Sequence, residues 1–373
     1  MKFRVSLLTA LLAVPVVSVH AAALQRTDQN VDYLFERGNY FEIGTGYVRP
    51  SAKGTFLDMG GNNTGQDTGN ITKSFNPWMG AIKLQPTERL SLAFAYEQPF
   101  GVTDKYRPSA LSNVGGMEAE TLAHSFTALA GYRTANNFWV YGGPAYYTVN
   151  GSLTLPNLGY RLEVPQGGGW GYVAGVAWEK PDIALRASLT YHSSAKYSKQ
   201  AKEQFGAGSP PQSSEFTFKM PQSVNLDFRT GIMPKTILIT GARWVNWKQF
   251  KLEPKGYQQA LQTELVSFSK NSWEYKLGVG RQLTDKLGGQ VLLTYDTGTG
   301  TPVSPLNPTN RSYGIQIGGK YQVSDNVQIS AGVRHLWFKD ETTSVKPFGT
   351  KIDASQFNRT RALGVGVKLG VHF

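Results

Sequence analysis

The chain closes on "RALGVGVKLGVHF", residues 361–373. Leu363, Val365, Val367, Leu369, Val371 and Phe373 occupy one set of alternate positions. Ala362, Gly364, Gly366, Lys368, Gly370 and His372 occupy the other. Successive side chains of a strand point to opposite faces, so one face is apolar and the other small or polar. A water-soluble sandwich turns the apolar face to a core and the polar face to water. A membrane barrel turns the apolar face to lipid and lines its lumen with the other. This strand fits both readings, and the rest of the chain has to separate them.

The N-terminus indicates export. "MKFRVSLLTALLAVPVVSVHAAA" has Lys2 and Arg4, an apolar stretch, then small residues at Ala21 to Ala23. That is the layout of a secretory signal, expected to be cleaved after Ala21 or Ala23. The apolar run is shorter than the ~20 residues a spanning helix needs, and no later run reaches ~18. The chain has no cysteine, so an exported product cannot rely on disulfides, thiolate metal sites or a cysteine nucleophile. Glycine is 41 of 373 residues and aromatics are 12%. High Gly, Tyr and Trp without a helix-length apolar run suits a membrane barrel. The formal charge is +12, or 12 − 2 = +10 without Lys2 and Arg4. Excess base favours anionic partners such as lipid phosphates or carboxylates. No Lys/Arg block of nucleic-acid-recognition size is present, so no nucleic-acid partner is expected.

Strand-like segments of about 10–14 residues recur from Asn39 onward, many with clear alternation. Trp170, Tyr172, Ala174, Val176 and Trp178 share one parity, as do Trp273, Tyr275, Leu277 and Val279. Connections of two sizes alternate. The short ones are turn-like: "QPTER" (85–89), "RTANN" (133–137), "EKPD" (179–182), "GIMPK" (231–235), "LTDK" (283–286) and "VSDN" (323–326). The long ones run over 52–72, 101–116, 151–167, 198–213, 249–270, 297–310 and 340–360. Six short and seven long connections join fourteen strands and put both chain ends on the short-turn side. The layout predicts an all-β, antiparallel, fourteen-stranded transmembrane barrel, closed so that no backbone group is left unpaired in lipid. The expected organisation is a signal over 1–23, an N-terminal plug over 24–38 and the barrel over 39–373. Trp170, Trp178, Tyr191, Phe228, Trp247, Trp273, Trp337 and Phe373 lie toward strand ends and are expected in interfacial girdles. The closing strand is then read with its apolar parity to lipid, Lys368 to the lumen and Phe373 at the periplasmic rim.

From about Gly168 onward the sequence resembles the outer-membrane long-chain fatty acid transporter family of the FadL/TodX/OmpP1 type. "GWGYVAGVAWEKPDIALRASLTYHSSAKYSKQAK" resembles the family's strand, turn and strand ahead of a long loop. "FKMPQSVNLDFRTGIMPKTILITGARWVNWKQF" resembles its "LP" strand and the Trp-containing strand that follows. "LLTYDTGTGTPVSPLNPTNRSYGIQIGGKYQVSDNVQISAGVRHLW" resembles its "D-x-x-P-V" loop and next hairpin. The terminal Phe is typical of barrels inserted by the outer-membrane assembly machinery, which becomes an expected partner during biogenesis. The resemblance implies a monomeric channel of the Gram-negative cell outer membrane, in contact with lipid and lipopolysaccharide, with both termini periplasmic. It further implies passive uptake of a hydrophobic ligand, long-chain fatty acids first and aromatic hydrocarbons otherwise. The ligand is caught among the loops and leaves sideways through a kink in the third strand. Two features depart from the family: residues 24–38 are short for its N-terminal hatch, and its Asn-Pro-Ala hatch motif is absent.

Several residues could carry such a function. In the third strand, "RLSLAFAYEQPFGV", Pro99 cannot donate to a ladder. Pro99, Phe100 and Gly101 are either a break forming a lateral gate or the strand's external end. On the lumen parity lie Glu97, Arg186, Lys219, Asp227, Arg229, Glu274, Lys276, Lys320, Arg334 and Lys368. Of these, Arg334, Lys276 and Lys368 are candidates for a ligand carboxylate, which Arg can hold with two parallel hydrogen bonds. The alternative is an internal ion-pair network bracing the barrel. Leu153, Leu155, Leu261 and Leu265 are candidates for capture of an apolar ligand in the loops, or for packing loop on loop. "YQQALQTELVSF" (257–268) is expected to form a short amphipathic helix with Leu261 and Leu265 on one face. "MGGNNTGQDTG" (59–69) lacks calcium-loop spacing and reads as a flexible loop. His124, His192, His335 and His372 have no metal-ligand spacing, and His192 and Ser193 in "YHSS" point to opposite faces of a strand. No catalytic residue, metal or cofactor is expected. A polar-solute porin of similar size and a purely structural or adhesive barrel are the competing functions.

Overall fold

A computed structural model describes residues 24–206 and 208–373, so the expected signal, 1–23, lies outside the described residues. Fourteen antiparallel strands form the wall. They are β1 (Tyr40–Ser51), β2 (Trp78–Leu84) and β3, which runs as Leu90–Glu97 and Gly101–Lys105. Next come β4 (Glu118–Arg133), β5 (Phe138–Leu155) and β6 (Tyr160–Lys180). β7 is in two pieces, Leu185–His192 and Lys196–Phe205, as is β8, Gln212–Lys219 and Ser223–Met233. β9 (Thr236–Val245), β10 (Ser272–Gln282), β11 (Leu287–Asp296), β12 (Ser312–Gln322), β13 (Val327–Phe338) and β14 (Arg361–His372) complete the set. Each strand pairs with its sequence neighbours, and β1 pairs with β14 from Tyr40↔His372 to Ser51↔Arg361, closing the ring.

The alternation has the inverted sense of a membrane barrel. On β14, Leu363, Val365 and Val367 are 42%, 44% and 47% exposed, whereas Ala362 and Lys368 are 4% and 7%. Leu277, Val279, Ile317 and Ile329 continue the outward apolar band. The wall has no free edge, which is what a sheet surrounded by hydrocarbon needs. All six short turns fall where the sequence places them; the tightest, between Met233 and Thr236, uses Lys235 at φ +60°.

At the loop end the sequence reading needs correction. Two segments read as loops, 151–167 and 198–213, are largely strand, and 101–116 opens with the strand Gly101–Lys105, because β3 to β8 continue upward as paired ladders. The 59–69 stretch is not a simple loop either. Asn63–Asn70 forms an edge of a four-stranded sheet with Lys53–Leu57, Ile352–Phe357 and Glu341–Val345, uniting the first and last loops. Trp247 leaves the girdle: a 3-10 turn over Trp247–Gln249 follows β9 and folds the indole inward to 0% exposure. Helix α1 spans Lys255–Leu261 and stops at Gln262, whose left-handed φ of +50° ends the turn before Leu265 can join its face.

A second correction concerns parity. The β5–β6 register passes from Val149↔Gly167 to Gly151↔Val164, so β6 carries one extra residue. Such a bulge flips every side chain beyond it to the other face. β7 and β8 follow, through Ser193–Ala195 and Met220–Gln222. Their partners run His192↔Ser223 below and Lys196↔Lys219 above. Above the interruption Tyr197, Phe216 and Phe218 are buried and face inward. Lys219 therefore faces outward, contrary to the expectation of a lumen position.

Residues 24–38 run through the lumen. Leu24, Leu34 and Phe35 are buried, and a 3-10 turn spans Asp32–Phe35. The Phe35 ring meets Trp139 and Tyr141 edge-on at 5.4 and 5.5 Å, with the Arg186 guanidinium 4.4 Å above it. The Asp28 carbonyl accepts from Asn225 and Arg243 at 2.7 and 2.9 Å, and Gln29 bonds Tyr147 and Arg243.

Candidate functional site

The interior is divided by the N-terminal segment. Toward the loops lies an apolar cavity of about 100 Å³. Its walls include Phe100, Leu153, Phe216, Phe218, Trp247 and Leu265. The parity flip in β8 presents Phe216 and Phe218 to this space. The turn after β9 supplies Trp247, whose ring stands edge-on to Phe100 at 5.9 Å and to Phe268 at 5.2 Å. Phe250 closes the group against Phe218 at 5.8 Å. Glu120 is the sole charged side chain among the described residues lining it. The Trp247 indole N–H is buried with no acceptor among the described residues.

One wall of the cavity is the interruption in β3. The strand resumes beyond Pro99 and pairs again with β4, so Pro99 lies within the wall rather than at the strand's end. Its missing N–H and the bend at Gln98–Phe100 remove part of the β2–β3 ladder. The N-terminal segment occupies the space. The Arg26 amide donates to the Pro99 carbonyl at 2.7 Å, and the Gly101 amide donates to the Leu24 carbonyl at 2.8 Å. Arg26 then enters the gap: its guanidinium lies 4.0 Å over the Phe75 ring, and a Cβ on Gly101 would meet it at 2.6 Å. Phe100 itself is buried and accepts from the Ala123 amide.

Leu153 and Leu265 line the cavity, and Leu155 and Leu261 pack into the same apolar cluster. Leu153 and Leu155 stand on β5 itself, on its inward parity. Arg334, Lys276 and Lys368 lie elsewhere, below the segment on the inner wall. Each faces a carboxylate: Lys276 to Asp227 at 2.5 Å, Arg334 to Glu274 at 3.2 Å, Lys368 to Glu42 at 2.5 Å. Arg334 also donates to the Thr294 hydroxyl, and Tyr40 donates to Glu42 at 3.0 Å. Lys368 borders a polar chamber of about 710 Å³ near the short turns, together with Glu36, Arg186, Arg229 and Lys320. The cations are thus separated from the apolar cavity and engaged in internal pairs.

Sequence reasoning missed Arg26, Trp247, Phe216 and Phe218. The latter two had a signal, since Phe216, Phe218 and Met220 alternate, but the flip assigns that parity inward. Arg26 had none, because its role depends on a contact with a strand far along the chain.

The family model described as outer membrane protein transport protein (OMPP1/FadL/TodX) matches residues 33–371. No curated protein matches the chain in sequence. A FadL homologue from Pseudomonas aeruginosa is similar in structure, at TM-score 0.75 and 15% identity, covering 97% of this chain and 100% of that one. The Pseudomonas putida toluene transporter TodX gives 0.66 at 12% identity, covering 98% and 97%. The Ralstonia pickettii toluene transporter TbuX gives 0.64 at 13% identity, covering 95% and 96%. At such identities the likeness establishes the shared fold, while the family match extends over nearly the whole barrel. The chain belongs to the OMPP1/FadL/TodX family of outer-membrane transport proteins and is an outer-membrane channel for hydrophobic substrates.

Proposed function

We propose that this channel carries small, uncharged apolar molecules, of which monoaromatic hydrocarbons are the model, by passive diffusion into the outer membrane. The observation that carries the reading is the cavity under the loops, whose described walls are apolar or aromatic and include no Lys or Arg. A carboxylate left there without a cation would keep its desolvation penalty, whereas a hydrocarbon has none. The volume of about 100 Å³ is of the order of an apolar cavity that accepts benzene and small for a long acyl chain. The toluene transport named for two structural neighbours agrees with this.

In this reading the loops face outside, and the short turns and both termini face the periplasm. Leu153, Leu155, Leu261 and Leu265 draw the ligand into the cavity. Residues 24–38 act as the plug that blocks a straight polar path. The ligand leaves sideways between β2 and β3, past Pro99, Phe100 and Gly101, once Arg26 moves aside. The barrel works as a monomer.

A second reading is a long-chain fatty acid whose carboxylate reaches Arg334, Lys276 or Lys368. It is favoured by the cation-bearing chamber beneath the plug but requires displacing an existing carboxylate partner from each cation. Uptake of labelled toluene and labelled oleate by cells lacking their own transporters, with surface display verified, separates the two. Toluene entry above the empty-vector level, without oleate entry, is expected. Oleate entry lost in Lys276→Met or Arg334→Met variants would establish the second reading instead.

A further inference from the structure

The parity flip that builds the cavity also changes the outer surface. By simple alternation Lys196 and Lys219 would point into the lumen, since His192 and Ser223 below them are buried. Above the interruption they face outward and stand directly opposite each other across β7 and β8. Directly opposed like charges destabilise an antiparallel pair, so this arrangement invites an anion between them. Two more exposed lysines, Lys248 and Lys270, lie on the adjoining connections. Gln249 bonds the Met220 carbonyl at 3.4 Å, so the turn that carries Lys248 passes close to the Lys219 end of β8. The Lys248 amide donates to the Asn271 side chain at 3.1 Å, which ties this turn to the connection that carries Lys270.

None of these four lysines has a carboxylate partner among the described residues. Some loop-end cations are matched, as in Lys251–Glu264, Arg107–Asp67 and Lys351–Asp353, whereas Lys196 and Lys219 face each other directly. The row also has a defined height. Gly169 lies so close to the Lys196 carbonyl that a Cβ would collide with it. The next residue is Trp170, 70% exposed and tilted against Tyr146 with centroids 4.8 Å apart, with Tyr172 and Tyr191 below. Outward aromatic rings mark the boundary between hydrocarbon and headgroups, so the lysines sit at headgroup level.

We propose that Lys196 and Lys219, extended by Lys248 and Lys270, bind the phosphate groups of a phosphorylated lipid in the outer leaflet. The chemistry is that of ammonium groups as point charges on phosphate oxygens, next to rings that pack on the acyl region. The inference takes the orientation from the proposed function but not the substrate. Four strands away round the ring, at β3 and β4, the outward charges near the lateral break include Glu118, and both Lys73 and Lys105 are drawn to it. The lipid would therefore be held away from the exit.

The test is lipid retention by the full chain, purified from outer membranes in mild detergent and read by native mass spectrometry after adding diphosphoryl lipid A. The wild type is expected to retain it, and the Lys196→Gln/Lys219→Gln double variant to lose at least about tenfold in affinity. Lys196→Arg/Lys219→Arg keeps the charge and is expected to keep the lipid. Lys219→Glu creates a cross-strand ion pair with Lys196, so it should raise the melting temperature while abolishing retention; this excludes misfolding as the cause. Equal retention by the double Gln variant, or equal retention of lipid A stripped of its phosphates, overturns the proposal. Displacement of the lipid by inorganic phosphate alone would assign a free-phosphate site and overturn it too. Retention is read without any uptake, so failure of the hydrocarbon reading leaves this result standing.

Discussion

The same barrel wall encloses two unlike interiors. Under the loops the inner face is aromatic and leucine-rich, and the rings of Phe100, Phe218, Trp247 and Phe250 meet across it. Beyond the N-terminal segment the inner face carries Lys276, Arg334, Lys368 and their carboxylates. The difference lies in what each must do. An apolar ligand gains by leaving water, so a site for it needs area and few charges. A lumen crossed by the N-terminal segment needs polar groups that are mutually satisfied, because an unpaired one there is costly. Charge in this molecule marks where the structure is braced, and its scarcity marks the cavity proposed for the ligand.

The largest effect on uptake is expected from a charge placed in the cavity. Phe218→Asp leaves a carboxylate facing rings with no cation in the lining, and toluene uptake should fall about a hundredfold, roughly 3 kcal/mol. Unchanged uptake would remove the cavity from the path and break the contrast. The converse test breaks a brace. Glu42→Gln strands a Lys368 that is almost fully buried and should cost about 3–5 kcal/mol in urea unfolding from lipid vesicles, with toluene uptake retained. Lost uptake at unchanged stability would make Lys368 part of the ligand path.

A smaller effect is expected at the wall itself. In Gly101→Val the new side chain meets the Arg26 guanidinium and the Thr121 carbonyl, 2.6 and 2.9 Å from the first added carbon. Crowding of this kind costs about 1–3 kcal/mol and should slow uptake several-fold without changing surface display. The smallest effect belongs to the loops. Hydrogen bonding by Lys251 holds the Glu264 carboxyl below its usual range. A depressed carboxyl stabilises above its unfolded value, and the gain disappears as pH falls through the folded one. The pair is exposed, so Glu264→Gln should cost no more than about 1 kcal/mol near neutral pH, and the difference from wild type should vanish in acid melts.

The barrel was legible because lipid imposes one rule on every strand: each outward residue within the hydrocarbon must be apolar. That rule makes β10 and β14 readable from parity alone, and the turn residues mark their ends. The candidate site was only partly legible. Pro99 announces an interruption, since proline cannot donate to a ladder. Leu153, Leu155, Leu261 and Leu265 announce an apolar surface among the loops, and the structure brings all four to one cluster. The helix holding Leu261 was shorter than its periodicity suggested, because Gln262 turns left-handed. Above the membrane both strand faces are packed or wetted by turns, and the simple rule lapses; that is where Lys219, Trp247 and residues 59–69 were misread.

Local sequence determined the closed fourteen-stranded barrel, because strand period, turn chemistry and the solvent preference of each face are properties of neighbouring residues. Tertiary structure decided three things that no window of sequence contains. It set one extra residue in β6 against β5, and the flip spread to β7 and β8 because their ladders must match. It laid Leu24 to Arg26 into the gap at Pro99, a pairing between segments remote in the chain. And it matched Lys276, Arg334 and Lys368 each to a carboxylate, with Lys368 and Glu42 at the two ends of the barrel sequence, because closing the ring makes the first and last strands neighbours.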